Sequence, residues 1–139
     1  MAILQNNDRV GEYVVQNLIK ANRYTETYRV KDADGNLYFL KLFVANKVPS
    51  KLINQETQQV NEIGYCQQIE HRNLMAHVGS GQIEHESGLC QYYITNYCQG
   101  SILSDYIQTE GCMCEEQALK VFSSILCGLQ YLHAKVPAL

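Results

Sequence analysis

Apolar and polar residues alternate in short runs through the first third of the chain, and helical spacing takes over in the last third. Tyr13-Val14-Val15-Gln16-Asn17-Leu18-Ile19 is rich in β-branched and aromatic residues, and Thr25-Glu26-Thr27-Tyr28-Arg29-Val30 alternates as a half-buried strand does. Between the second run and a third over 37–44 lies Asp32-Ala33-Asp34-Gly35-Asn36. Asp and Asn bond their own backbone and Gly accepts positive φ, so this segment predicts a hairpin turn. Pro49 and Ser50 mark a helix entry, and the spacing predicts helix over 51–69 with Val60, Ile63, Cys66 and Ile69 as a narrow apolar stripe. Two further strands are predicted over 76–83 and 89–97, on either side of the polar turn Glu84-His85-Glu86-Ser87-Gly88. Gly100-Ser101 leads into a short helix with Leu103 and Ile107 on one face. The helix over 115–133 carries the clearest stripe, made by Ala118, Val121, Phe122, Ile125, Leu129 and Leu132. Glu115 and Glu116 suit the positive end of its dipole. Cys114 stands at the capping position with Gln117 at capping-box spacing. The pattern predicts an α+β fold: a five-stranded antiparallel sheet with one packed helix, followed by two more helices.

Composition narrows the class without naming a chemistry. A chain of 139 residues with 46% hydrophobic and 18% charged residues supports one ordinary globular core. A net charge of −3 gives no reason to expect nucleic acid or an anionic membrane as partner. The N-terminal residues lack a basic segment leading into an apolar stretch, and no apolar run nears the roughly 20 residues of a membrane helix. These features suggest a cytoplasmic protein. Of the six cysteines, only Cys112 and Cys114 lie close together, and no second Cys or His pair stands at zinc-like spacing. Free thiols in a reducing compartment are the expectation, with no metal site.

The candidate chemistry lies in a lysine and a glutamate. Lys41 closes the apolar run Leu37-Tyr38-Phe39-Leu40, and Glu62 borders the stripe of the following helix. A carboxylate at that border needs a partner, since an unpaired buried charge is costly. Lys41 is the natural one. Taken singly, a lysine at a strand end is ordinarily solvated and a helix glutamate is ordinarily a surface charge. Their order with His71-Arg72-Asn73-Leu74, Ile94-Thr95-Asn96-Tyr97-Cys98 and Gly128-Leu129-Gln130-Tyr131-Leu132-His133 resembles the first half of a protein kinase domain. Small-molecule kinases of the aminoglycoside or choline type share the layout, but the hinge and Tyr131-Leu132-His133 fit them less well.

The resemblance implies a kinase N-lobe over 1–97, and over 98–139 the hinge and the start of an incomplete helical lobe. It implies that Lys41 and Glu62 form the ion pair that holds the α- and β-phosphates of ATP. Thr95 then falls at the gatekeeper position, Asn96, Tyr97 and Cys98 on the hinge, and Ile19 and Thr27 in the roof of the adenine pocket. Phe39 takes the place of the alanine that this family puts two residues before its lysine. ATP and magnesium are implied for the full-length parent, with a protein as substrate or partner.

Departures from the family pattern bear on nucleotide binding. The positions of the family's G-x-G-x-x-G loop read Lys20, Asn22 and Thr25, with Tyr24 as the aromatic tip. Phe39 in the adenine slot takes volume that a purine needs, and Thr27 replaces a valine. His77 falls where the family stacks an apolar side chain, and the expectation is a satisfied core histidine. The catalytic and metal-binding loops of the family are not found in the sequence, so the expectation is an inactive fragment that binds ATP–Mg weakly. Two readings of the parent stay open, a serine/threonine kinase and a pseudokinase-type interaction module. The apolar face of the last helix predicts a homo-oligomer.

Overall fold

The Asp32 carboxylate organises the first hairpin. Its Oδ1 accepts the N–H groups of Asp34 and Asn36 at 3.0 and 2.9 Å, and Gly35 takes φ 85°. The computed structural model describes residues 2–135. Its strands are β1 (Arg9–Val10), β2 (Tyr13–Ala21), β3 (Thr25–Lys31), β4 (Leu37–Val44), β5 (His77–His85) and β6 (Gly88–Asn96). They form one antiparallel sheet in the order β1-β2-β3-β4-β6-β5. The five predicted strands are all present, and the two-residue β1 adds a sixth beside β2.

The pleat separates two faces. One face carries Tyr28, Val30, Leu40, Leu42, Cys90 and Ile94, all at most 1% exposed, and closes on Leu4, Val10 and Tyr13 of the N-terminal segment. That segment is tied down by Glu26, whose Oε2 accepts the Ile3 N–H at 2.9 Å and the Tyr28 hydroxyl. The Tyr28 oxygen in turn accepts the Leu4 N–H at 3.0 Å. The opposite face has Lys41 paired with Thr27 and Tyr93, and Phe39 paired with Arg29 and Thr95.

The helix predicted over 51–69 is shorter than the spacing indicates. Only α1 (Asn61–Cys66) is α-helical, preceded by a 3-10 turn over Ser50–Leu52. Asn54 explains the break: its Oδ1 accepts the N–H groups of Glu56 and Thr57 at 2.9 and 3.1 Å, a local alternative to helix bonding. Gln58 then turns through φ 59°, and Ile53 bridges to Val60. No apolar face connects Ile53 to Val60, so burial offers nothing to oppose the turn. Ile63 and Val60 pack with Phe43 and Val48 into a second small core.

Two helices follow, α2 (Leu103–Glu110) and α3 (Glu115–Lys135). The Ala118 N–H donates to the Cys114 carbonyl at 2.9 Å, which starts α3 where the sequence placed its cap. Near its other end α3 meets the loop between α1 and β5. Tyr131 Oη accepts the Glu70 N–H at 2.9 Å, its ring lies 5.0 Å from that of His71, and Gly128 is buried against Leu74. Among the described residues no helix is long and apolar enough to cross a membrane.

Candidate functional site

Strand β4 fixes Lys41 by register, between Thr27 on β3 and Tyr93 on β6. Helix α1 brings Glu62 to it across the same face. Lys41 Nζ lies 2.7 Å from Glu62 Oε1, with the two side chains 31% and 43% exposed. The Tyr93 hydroxyl donates to the same oxygen at 2.8 Å, so one carboxylate oxygen receives both donors. Lys41 Nζ also stands 5.4 Å from the centre of the Phe43 ring. Burial, followed by the negative charge of Glu62, drives the Tyr93 pKa far above its ordinary value, so its hydroxyl keeps the proton it donates. Cys66, one turn beyond Glu62, has its thiol pKa raised by burial and then by the same carboxylate. Its thiol stays protonated and unreactive at neutral pH.

The helix itself is anchored by the neighbouring residue on that face of β6. Gln91 is 3% exposed; its Oε1 accepts the Val60 N–H at 2.9 Å and its Nε2 donates to the Gln58 carbonyl at 2.7 Å. Both bonds land at the N-terminal edge of α1. Below the helix a cavity of about 460 Å³ opens between Tyr24, Phe43, Cys66, Ile69 and Leu132, with Glu62 at its rim. The ring of Tyr24 packs on the small core of Phe43, Val48, Val60 and Ile63, and its carbonyl accepts the Val44 N–H at 3.0 Å. The tip of the β2–β3 hairpin therefore turns inward.

Of the other predicted residues, Thr95 and Phe39 lie on the same face, one cross-strand pair along from Tyr93 and Lys41. Thr95 is 7% exposed, and Phe39 is its cross-strand partner. The Phe39 ring stacks on Tyr97 at 4.8 Å between centroids. Tyr97 lies one residue past the end of β6, with exposed Asn96 and Cys98 on either side. Ile19 sits at a register shift between Leu18 and Lys20 and is 48% exposed, while Thr27 is half-buried. The expected core histidine needs correction. His77 is only half-buried, and its Nε2 is shut off from solvent with no hydrogen-bond partner. Burial lowers its pKa.

The protein kinase domain family model matches residues 13–136 of this sequence. The chain belongs to the protein kinase domain family. A comparison with curated proteins finds no match. Among solved structures the chain is similar to the kinase domain of PknI from M. tuberculosis, with a TM-score of 0.71 at 14% identity. That match covers 96% of this chain and 52% of the PknI chain. A mutant of the same kinase domain gives a TM-score of 0.70 at 16% identity, covering 96% and 53%. Rad53 in complex with AMP-PNP gives a TM-score of 0.69 at 14% identity, covering 88% of this chain and 30% of that one. At these identities the likeness is one of fold. The chain spans about half the length of the PknI kinase domain it matches.

Tyr93 and Gln91 are the site residues that sequence reasoning missed. Their signal was present but faint: Gln91, Tyr93 and Thr95 alternate along β6, placing three polar groups on one face of a strand that is apolar on the other.

Proposed function

We propose that this kinase-family chain is the N-terminal part of a serine/threonine protein kinase-like domain. In its full-length parent the domain transfers phosphoryl groups from ATP to protein, and the chain alone is inactive. The observation that carries the reading is the 2.7 Å contact between Lys41 and Glu62 within the matched region. An ammonium held by a helix carboxylate and aimed across the open sheet face suits the phosphate end of a nucleotide. Lys41 would bind and orient phosphate oxygens, and Glu62 would keep it from straying. Magnesium, bound with the nucleotide in the parent, supplies neutralisation of phosphate charge. The AMP-PNP held by Rad53 supports a nucleotide reading of the shared fold.

The purine end fits less well. The Phe39–Tyr97 stack lies beside Thr95, where an adenine ring would enter. It favours the second reading, a pseudokinase-type module kept for protein interaction. Losing a few contacts of about 1–3 kcal/mol each lowers affinity by orders of magnitude, so ATP–Mg is expected to bind this chain at millimolar strength or weaker. Calorimetric titration is the test. Further weakening in Lys41→Ala supports the phosphate role, and indifference to that substitution overturns it. A micromolar dissociation constant overturns the expectation of weak binding. Phe39→Ala should tighten binding about tenfold if the phenylalanine fills the purine slot. An unchanged constant removes the structural argument for the pseudokinase.

The reading extends to partners and setting. Leu119, Phe122, Ile125, Leu126 and Leu129 of α3 are 42–60% exposed, and an apolar groove of about 530 Å³ runs between α2 and α3. Patches of this kind are covered in solution, and a second copy of the chain is the proposed cover. A cytoplasmic setting, in which the six free thiols stay reduced, completes the proposal.

A further inference from the structure

We propose that Tyr93 is a positioning residue for the Lys41–Glu62 pair, so that strand β6 holds helix α1 in its paired position. This inference rests on the reading of that pair as the phosphate-binding element. A lysine and a glutamate on separate elements, both about a third or more exposed, do not by themselves fix a helix, because the contact is screened by water. Here the helix has only six residues, and its register over the sheet depends on side chains outside it. Strand β6 supplies them. Gln91 bonds the N–H and carbonyl at the helix entrance, and Tyr93 bonds the functional carboxylate itself.

The placement of Tyr93 explains why the hydroxyl acts on the pair rather than on packing alone. Its oxygen meets the same Glu62 Oε1 that faces Lys41, at 2.8 and 2.7 Å. A carboxylate oxygen with two donors has its rotamer fixed from two directions, and the carboxylate cannot turn toward solvent without breaking a charge-assisted bond. The ring is held in turn, 6.1 Å from Phe43 in the small core beneath α1. The path from core to carboxylate to ammonium is therefore continuous through one side chain.

Acetylation of Lys41 by a small amine-reactive reagent, quantified by mass spectrometry on the nucleotide-free chain, reads out the pairing directly. Lys31 and Lys120, both exposed, serve as internal references. Tyr93→Phe should raise Lys41 acetylation relative to those references by about five- to tenfold, the scale of a charge-assisted bond in a partly exposed site. Placed in a Glu62→Ala background, which removes the acceptor, the same substitution should change nothing further, because the hydroxyl acts through that side chain. An unchanged or slower rate in Tyr93→Phe overturns the proposal. So does an equal rise in the Glu62→Ala background, which would mark Tyr93 as structural only. Circular dichroism checks the fold, and Tyr93→Leu repeats the hydroxyl removal if the phenylalanine variant folds poorly. Nucleotide titration of the same variants separates the two readings. A chain whose Lys41 protection depends on Tyr93 but whose nucleotide binding ignores Lys41 keeps the tether and loses the kinase function.

Discussion

The imidazole of His77 opens β5 across from Thr95, with Nε2 out of solvent and without a hydrogen-bond partner. Burial lowers its pKa below the ordinary 6.5, so the folded chain favours the neutral ring. On acidification the unfolded chain takes the proton first. The stability tied to the neutral ring is therefore present above 6.5 and lost as pH falls through the lowered folded value. The melting temperature should drop by a few degrees between about pH 7 and about pH 5, and His77→Leu should flatten that slope. Equal slopes in both proteins would remove His77 as the cause. Residues of this kind show what a sequence conveys and what it withholds. Lys41 and Glu62 were legible because their separation along the chain, with the motifs around them, is a one-dimensional property. The orphaned nitrogen of His77 was not, since whether a histidine finds a partner depends on neighbours from other strands. Tyr93 read as an ordinary strand aromatic, and the oxygen it bonds lies 31 residues away.

Elements were legible in proportion to how local their causes are. The hairpin at Asp32 and the turn before Gly88 lie where turn chemistry puts them, and all five predicted strands formed. The helix over 51–69 failed for a cause just as local but easily overlooked, the Asn54 side chain bonding the backbone that a helix would use. What remains helical depends on β6. Replacing Gln91 by leucine keeps a similar volume but leaves the buried Val60 N–H and the part-buried Gln58 carbonyl without their partners. The buried orphan costs about 1–3 kcal/mol and the other can find water, so Gln91→Leu should destabilise the chain by about 1–3 kcal/mol. Urea denaturation checks this through a lowered midpoint at unchanged slope. A loss below about 0.5 kcal/mol would mean that the helix entrance is held elsewhere.

At the scale of the molecule, the sheet buries one face under its own N-terminal segment and α3 leaves an apolar face outward. If a second copy covers that face, light scattering at tens of micromolar should report a dimer. Phe122, 60% exposed, is the residue to test. Phe122→Glu places a charge in the proposed interface and should return the chain to a monomer with an unchanged circular dichroism spectrum. A wild-type monomer at that concentration ends the proposal. This arrangement was half legible in the sequence. The stripe on α3 was plain, but Leu132 within it is half-buried beside the cavity under α1, because tertiary contact divides a stripe that helical spacing treats as one. The grip of Tyr131 and Gly128 on the loop after α1 has a mechanical meaning as well. The loop that follows α1 is moored to a 21-residue rod, while the front of the helix is latched by Gln91 and Tyr93. Released from the latch, α1 keeps its Ile63 contact with the small core and its tie to that loop, and Glu62, in the first turn, would be freed from its orientation toward Lys41.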